Sequence, residues 1–372
     1  MLGLIKLIPS SNIEMKKIAV IGLRGFPGVQ GGVEVHCENL YPLFSEDTLV
    51  TVYRRIPYIT SYSDKKYHNI SFRDFPSTRI KGFEAMFHTF LSCCSVIKNN
   101  PDAVHIHNIG PGMFTPLLKL FGQRVCVTYH SPNYEHKKWG FFAKKILKLS
   151  EWLSLRFADD VIFVNKFQME KVGGVCKGGK HYLPNGMKKV TCSQSTDFLQ
   201  KNGIIPGEYV LAVGRITQEK GFDVLIKAVS ASPEVKQLVI AGACDHDSEY
   251  FNLLKALDVE SKVVFTGFTT GEDLRQLYSH ASLFVLSSFN EGFPLVLLEA
   301  MGYGLPLLVS DIPATHLLPL PVDAYVPVGD VNEFATALKR KSLSHEGKQE
   351  YDLTEFDWDS IAKKTESILL RK

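Results

Sequence analysis

Short apolar runs rich in Val, Ile and Phe alternate along this chain with longer stretches whose apolar residues recur at helical spacing. That alternation is the signature of βαβ units and parallel sheets. In the first half it predicts strands at 18–21, 49–53, 103–107, 125–129 and 161–164, and helices over 83–97 and 141–157. Periodicity then lapses. The stretch 177–180 is Gly/Lys-rich, Pro184-Asn185-Gly186 is a turn signal, and 191–207 is polar. A second alternating series predicts strands at 209–213, 238–241, 263–265, 283–286 and 307–309. The pattern parses as an α/β protein with two doubly wound, Rossmann-like parallel-sheet domains joined near 185–205.

Composition agrees with that parse. At 372 residues the chain is long for one doubly wound domain and suits two. With 45% hydrophobic and 22% charged residues it has the make-up of a globular protein with sizeable cores. A net charge of only +3 gives no global reason to expect a nucleic-acid partner. The 7 cysteines are scattered, without a CxxC pair or a Cys/His cluster at metal spacing, so neither a disulfide framework nor a bound metal is expected. No run approaches the roughly 18–20 apolar residues of a transmembrane helix. The first fourteen residues lack the features of a signal peptide and read as a loose extension or a misplaced start. The expected compartment is the cytoplasm.

Parallel sheets bind ligands at the carboxyl ends of their strands, and the unusual residues fall there. After the first strand comes Gly22-Leu23-Arg24-Gly25-Phe26-Pro27-Gly28, running on through Gly31-Gly32-Val33-Glu34. This glycine-rich turn into a helix lets backbone N–H groups approach a phosphate, or is a plain connector. Its spacing is not the G-x-G-x-x-G of a dinucleotide fold. After the strand at 209–213 stands Gly214-Arg215-Ile216-Thr217-Gln218-Glu219-Lys220-Gly221. Arg215 and Lys220 there suit a diphosphate, or are ordinary surface charge. The sharpest stretch begins at Glu291-Gly292-Phe293-Pro294-Leu295 and reaches Glu299. Pro294 suits a first helical turn, leaving the N–H groups of Gly292, Phe293 and Leu295 to meet an anion. Glu299 lies inside the helix among aliphatic residues, where a carboxylate needs a donor partner unless it faces solvent.

Three weaker features complete the set. His130 directly follows a strand and can offer a hydrogen bond to a cleft, although a lone His is more often structural and His105, His107 and His136 compete with it. In the stretch 137–148, Lys137, Lys138, Lys144, Lys145 and Lys148 interleave with Trp139, Phe141 and Phe142. Such a surface suits anionic lipid headgroups, unless its aromatics face the domain's own core. Asp245-His246-Asp247 has the look of a metal-binding D-x-D but reads as loop or helix-cap residues, because that motif belongs to a single-domain fold.

Taken in order, these stretches resemble glycosyltransferase family 4, retaining enzymes of the GT-B fold. The resemblance is carried by E-x7-E from Glu291 to Glu299, by Ser288 ahead of it, and by Glu-Ala-Met-Gly-x-Gly-x-Pro through Pro306 behind it. Gly214-Arg215 with Glu219-Lys220-Gly221, Gly31-Gly32-x-Glu34 and Pro184-Asn185-Gly186 match as well. The similarity covers nearly all of the chain beyond residue 15, and its first half looks closest to bacterial capsule and O-antigen transferases, including rhamnosyltransferases.

The resemblance implies an acceptor-side domain over 1–190, completed by a C-terminal helix at about 357–372, and a donor-binding domain over 191–356. It implies that Arg215 and Lys220 hold the diphosphate of a nucleotide-sugar, that Glu291 orients the sugar, and that Gly292, Phe293, Pro294 and Leu295 cradle phosphate and sugar. Glu299 would bind the ribose, Gly267 and Phe268 would border the base, and Gly214 would belong to the donor site. Gly31 and Gly32 would close from the other domain, and His130 would contact the transferring sugar. The implied reaction is metal-independent transfer with retention and without a cofactor. Its acceptor is a saccharide, expected to be polyprenyl-diphosphate-linked, with the 137–148 stretch against the inner face of the cytoplasmic membrane. The rival readings are a sugar-nucleotide binder or epimerase of the same fold and an NAD-dependent oxidoreductase. The four charged residues weaken the binder, and the missing G-x-G-x-x-G weakens the oxidoreductase.

Overall fold

The structure is a computed structural model in which residues 15–29, 31–59, 67–78, 83–132, 134, 140–244, 248–344 and 347–371 are described. Two sheets organise the chain. The first comprises β1 (Lys16–Ile21), β2 (Thr48–Arg55), β3 (Ile70–Phe75), β4 (Ala103–His107), β5 (Val125–Tyr129), β6 (Asp160–Phe163) and β7 (Gly179–Tyr182), ordered β3-β2-β1-β4-β5-β6-β7. The second comprises β8 (Tyr209–Val213), β9 (Gln237–Ala241), β10 (Val263–Gly267), β11 (Leu283–Leu286), β12 (Leu307–Ser310) and β13 (Tyr325–Val326), ordered β10-β9-β8-β11-β12-β13. Neighbouring strands pair in parallel throughout both. In each sheet the order reverses beside its first strand, between β1 and β4 and between β8 and β11, and a crevice opens where the connections part.

Helices cover both faces, as parallel sheets require. Those of the first half are α1 (Gly32–Leu40), α2 (Glu84–Asn99), α3 (Thr115–Leu120), α4 (Phe141–Phe157) and α5 (Lys166–Val172). The second half adds α6 (Asp197–Lys201), α7 (Phe222–Ser230), α8 (Ser248–Leu257), α9 (Gly271–His280), α10 (Leu295–Gly302) and α11 (Val331–Ser344), and α12 (Trp358–Leu369) closes the chain. Alternation along β1 divides the first core in two. Ile18 and Val20 pack with Cys37, Leu40 and Tyr41, while Ala19 and Ile21 pack with Cys93, Val96 and Leu155.

Three strands escape the periodicity argument. β3 and β7 are the outermost strands of the first sheet, and their residues are only partly buried, so neither carries an apolar run. β7 begins inside the Gly/Lys-rich stretch expected to be irregular, and β13 is only 2 residues long. Of the other strands, β4, β5, β8 and β11 have the expected bounds, and the rest differ by a residue or two.

α12 leaves the second sheet and docks on the first. Trp358, Ile361, Ala362 and Leu369 join the core of Ile18, Val20 and Leu40. Asp357 caps its start by accepting the Ser360 N–H at 2.8 Å. At its end Arg124 donates to the carbonyls of Ile368 and Leu369, both at 2.9 Å. Where the chain returns, the Met187 N–H donates to the Phe356 carbonyl at 2.7 Å, and Met187 bridges Asp357. Two crossings between the domains therefore run side by side.

Trp358 is 4% exposed, and its indole N–H has no acceptor among the described residues. Trp358→Ala is expected to cost about 3–5 kcal/mol in urea unfolding. Trp358→Phe, which keeps a ring and removes the orphaned donor, is expected to cost far less. An Ala variant within about 1 kcal/mol of wild type would show that the returning helix is not needed for the fold.

Candidate active site

Two loops at the switch point of the second sheet are locked together. The loop after β8 reaches Gly221, whose φ of 61° lies in the left-handed region. A Cβ built there would lie 2.2 Å from the Ser287 carbonyl oxygen in the loop after β11, so only glycine permits this approach. Ser287 Oγ donates to the Lys220 carbonyl at 3.0 Å, and the Phe289 N–H donates to the Glu219 carbonyl at 2.9 Å. This frame brings Lys220 Nζ to 2.6 Å from Glu291 Oε1, with the two side chains only 16% and 11% exposed. Ser288 Oγ donates to the same oxygen at 2.7 Å. Glu291 Oε2 has no partner among the described residues and is available to a ligand.

The start of α10 departs from expectation at one residue. Pro294 precedes the helix instead of opening its first turn, with φ −83° and ψ 79°. These angles form an inverse γ-turn in which the Leu295 N–H donates to the Phe293 carbonyl at 3.0 Å. Of the three N–H groups expected to face an anion, Leu295's is thus consumed. Those of Gly292 and Phe293 have no partner among the described residues. Farther along α10, Glu299 is half-buried, and its Oε2 accepts the Tyr278 hydroxyl at 2.8 Å. Burial pushes this carboxyl's pKa up, while the Tyr278 bond and the Lys188 charge oppose the rise.

The first domain closes the opposite wall. A Cβ on Gly292 would lie 2.2 Å from the His130 carbonyl oxygen, so the two domains touch there backbone to backbone. Asn165 bridges the same point. Its Nδ2 donates to the Gly292 carbonyl at 2.9 Å, while its Oδ1 caps α5 by accepting the Phe167 and Gln168 N–H groups. Between these walls lies a cavity of about 500 Å3. Gly31, Gly32 and His130 face it from the first domain. Gly214, Arg215, Lys220, Phe268, Glu291, Gly292, Phe293, Pro294, Leu295 and Glu299 face it from the second. Gly267 ends β10 and is not part of the wall.

Several lining residues were not singled out from the sequence. Arg55 and Asn108 end or follow strands, so the strand-end rule could have found both. Arg55 Nη1 donates to Glu84 Oε1 at 2.8 Å. His105 and His107, expected only as competitors of His130, are fully buried and joined to it through hydrogen bonds. His36 joins them from α1, with Nδ1 2.6 Å from Asn185 Oδ1. Burial is the main cause of the low pKa of all four rings. It pulls His36 down to about 4 and His105 to about 3, and holds His107 and His130 well below the ordinary 6.5. These rings are neutral at neutral pH. His136, Lys137, Lys138, Trp139 and the Asp245-His246-Asp247 run lie outside the described residues.

Comparison with known proteins bears on the family and the fold. Residues 30–187 match the family model "Glycosyltransferase Family 4", and residues 195–317 match "Glycosyl transferases group 1". An uncharacterized glycosyltransferase of Methanocaldococcus jannaschii is 28% identical over 95% of this chain and 97% of its own length. The O-antigen chain mannosyltransferase RfbU of Salmonella typhimurium is 30% identical over 39% of this chain and 40% of its own. Among solved structures, Anabaena Alr3699/HepE in complex with UDP and glucose superposes with a TM-score of 0.76 at 19% identity, over 95% of this chain and 99% of that one.

The buried imidazoles make stability depend on pH in a defined window. Their folded pKa values lie below the unfolded 6.5, so the unfolded chain takes up protons first as pH falls. Stability is expected to be full above pH 6.5 and to decline as pH drops toward 4. His36 alone is expected to contribute up to ~3 kcal/mol to the loss. Urea unfolding at pH 7.0, 5.5 and 4.5 measures this, and a flat profile would contradict the buried, neutral rings.

Proposed function

The chain is a family 4 glycosyltransferase of the GT-B fold, and from that premise we propose that it moves a hexose or deoxyhexose from a nucleoside-diphosphate sugar to a saccharide acceptor during synthesis of a bacterial surface polysaccharide. The observation that carries the reading is the convergence on one cavity of two cations, Arg215 and Lys220, and two carboxylates, Glu291 and Glu299, at the carboxyl edge of a parallel sheet.

In this reading the diphosphate lies against Arg215, Lys220 and the N–H groups of Gly292 and Phe293. Glu291 Oε2 takes hydroxyls of the sugar, Glu299 takes the ribose, and His130 meets the sugar from the other domain. As the bond between the anomeric carbon and phosphate oxygen breaks, its electron pair stays on the phosphate, where the cations stabilise it. The acceptor oxygen bonds to the anomeric carbon on the same face and gives its proton to the departing phosphate oxygen. The configuration is thereby retained, and protein cations occupy the role a metal would otherwise fill. That RfbU is an O-antigen chain mannosyltransferase supports the saccharide acceptor, and the UDP and glucose bound by the Anabaena protein support the donor class.

We extend the proposal to docking on an anionic membrane through α4. Phe142, Ile146 and Leu149 form a stripe that is 79%, 47% and 53% exposed, with Lys144, Lys145 and Lys148 beside it. The aromatics of this helix do not face the domain core: the side turned inward carries Ser150, Ser154 and Leu155. No helix among the described residues is long and apolar enough to cross a membrane.

Thermal shift with UDP-, GDP-, dTDP- and ADP-sugars is expected to single out one nucleotide, which stabilises the fold by about 2.7 kcal/mol at a hundredfold excess over Kd. Lys220→Ala and Glu291→Ala are each expected to lower turnover at least ~100-fold, a loss of about 2.7 kcal/mol, while EDTA leaves wild-type turnover unchanged. Near-normal turnover in both variants would defeat the mechanism. Wild-type protein is expected to co-sediment with phosphatidylglycerol vesicles and not with phosphatidylcholine vesicles, and F142S/I146S to lose that binding. Equal binding by the double variant would refute the α4 contact.

A further inference from the structure

Beneath His130 the first sheet carries an unbroken line of hydrogen bonds. Thr128 Oγ1 lies 2.6 Å from His105 Nε2, and His105 Nδ1 lies 2.8 Å from Tyr41 Oη. Tyr41 Oη lies 2.6 Å from His107 Nε2, and His107 Nδ1 lies 2.9 Å from His130 Nε2. Strand alternation and register create the line. His105 and His107 share one face of β4, and Thr128 stands opposite His107 on β5. All five groups are buried, and of them only His130 lines the cleft. Because His130 Nε2 is engaged by His107, Nδ1 is the nitrogen left for a ligand.

Each neutral member carries one exchangeable proton, and each contact uses one. The line can therefore run in only two directions. Running inward, every group donates toward Thr128, whose oxygen accepts from His105. The threonine's own proton then has no acceptor, since its side chain has no second partner among the described residues. A buried hydroxyl proton without an acceptor is unfavourable. Running outward, Thr128 donates to His105 Nε2, His105 Nδ1–H to Tyr41, Tyr41 to His107 Nε2, and His107 Nδ1–H to His130 Nε2. Every internal donor is satisfied, and the last proton sits on His130 Nδ1, toward the cleft.

We propose that this line fixes His130 as its Nδ1–H tautomer, a neutral hydrogen-bond donor to the transferring sugar, and that Thr128, His105, Tyr41 and His107 are positioning residues acting through it. Which ring nitrogen carries the proton is set by the bond the other one makes. The inference rests on the reading of His130 as a contact to the donor sugar. His36, His107 and His130 also bring ring nitrogens within 4.8 Å of one another, a spacing that would admit a metal ion. The line already uses both nitrogens of His107, so a cation there would interrupt it, and the two arrangements exclude each other.

Thr128→Val keeps the side chain's shape and removes the terminal donor; Thr128→Ser restores it. In protein carrying 15N-imidazole histidine, with the His130 signal identified by its loss in His130→Gln, wild type and the Ser variant are expected to show protonated Nδ1. The Val variant is expected to show a mixture of tautomers. The kcat/KM for the donor is expected to fall about tenfold in Thr128→Val, the worth of one neutral hydrogen bond, and to recover in Thr128→Ser. A resting wild type with His130 protonated on Nε2 overturns the inference whatever the substrate. A Ser variant no better than Val overturns it, and so does stoichiometric Zn2+ uptake that is lost in His107→Ala. A Val variant that mixes tautomers yet transfers sugar at the wild-type rate overturns instead the placing of His130 on the sugar.

Discussion

The ion pair between Lys220 and Glu291 stands where the second sheet divides, and it ties together the loops that leave β8 and β11. Two opposite charges so little exposed need each other: removing either leaves a buried charge with no counterion. The backbone contacts around Gly221 and Ser287 hold the pair in register, and Ser288 shares the carboxylate. The position of α10 follows, since its first residues continue from Glu291. So does the contact of Gly292 with His130 and Asn165, which joins one domain to the other. A polar interaction thus fixes the cleft geometry, while the apolar cores on either side hold the sheets that carry it.

The strands that form the middle of each sheet were legible because burial on both faces makes them continuous apolar runs. β4 and β5 have every residue buried, and both fall where the pattern put them. Edge strands carry no such mark. β7 reads as Gly179-Lys180-His181-Tyr182, and nothing in that run distinguishes it from a loop. Its place comes from pairing with β6, a partner distant enough in sequence that local pattern is silent. The same division holds for the cleft. Arg215, Lys220, Glu291 and Glu299 were readable because they follow or sit near strand ends in compact motifs. Asn165 was not, because one asparagine after a strand is unremarkable until its carbonyl partner in the other domain is known.

The histidines illustrate a subtler limit. In the sequence, His105, His107 and His130 compete for one role, and each alone is more often structural. Parallel register makes them parts of one object, because β4 and β5 put alternate residues of neighbouring strands side by side. The signal was present as H-x-H on one strand and T-x-H at the end of another. It became interpretable only when the strands were known to be neighbours. Pro294 shows the reverse case, a residue correctly seen to start a helix but placed one position too far inside it. The inverse γ-turn it adopts uses the N–H of Leu295, which a helical proline would have left open.

The return of α12 to the first sheet bears on how the two halves can move. A single connecting strand behaves like a ball joint, free to swivel in any direction. Here two segments cross side by side, fastened where Met187 meets Phe356 and Asp357. A pair of adjacent tethers acts as a door hinge: it admits swinging about the line through both and resists twisting about any other axis. Whatever opening admits a ligand and releases a product would follow that one arc, so each closing stroke returns the two walls to the same alignment.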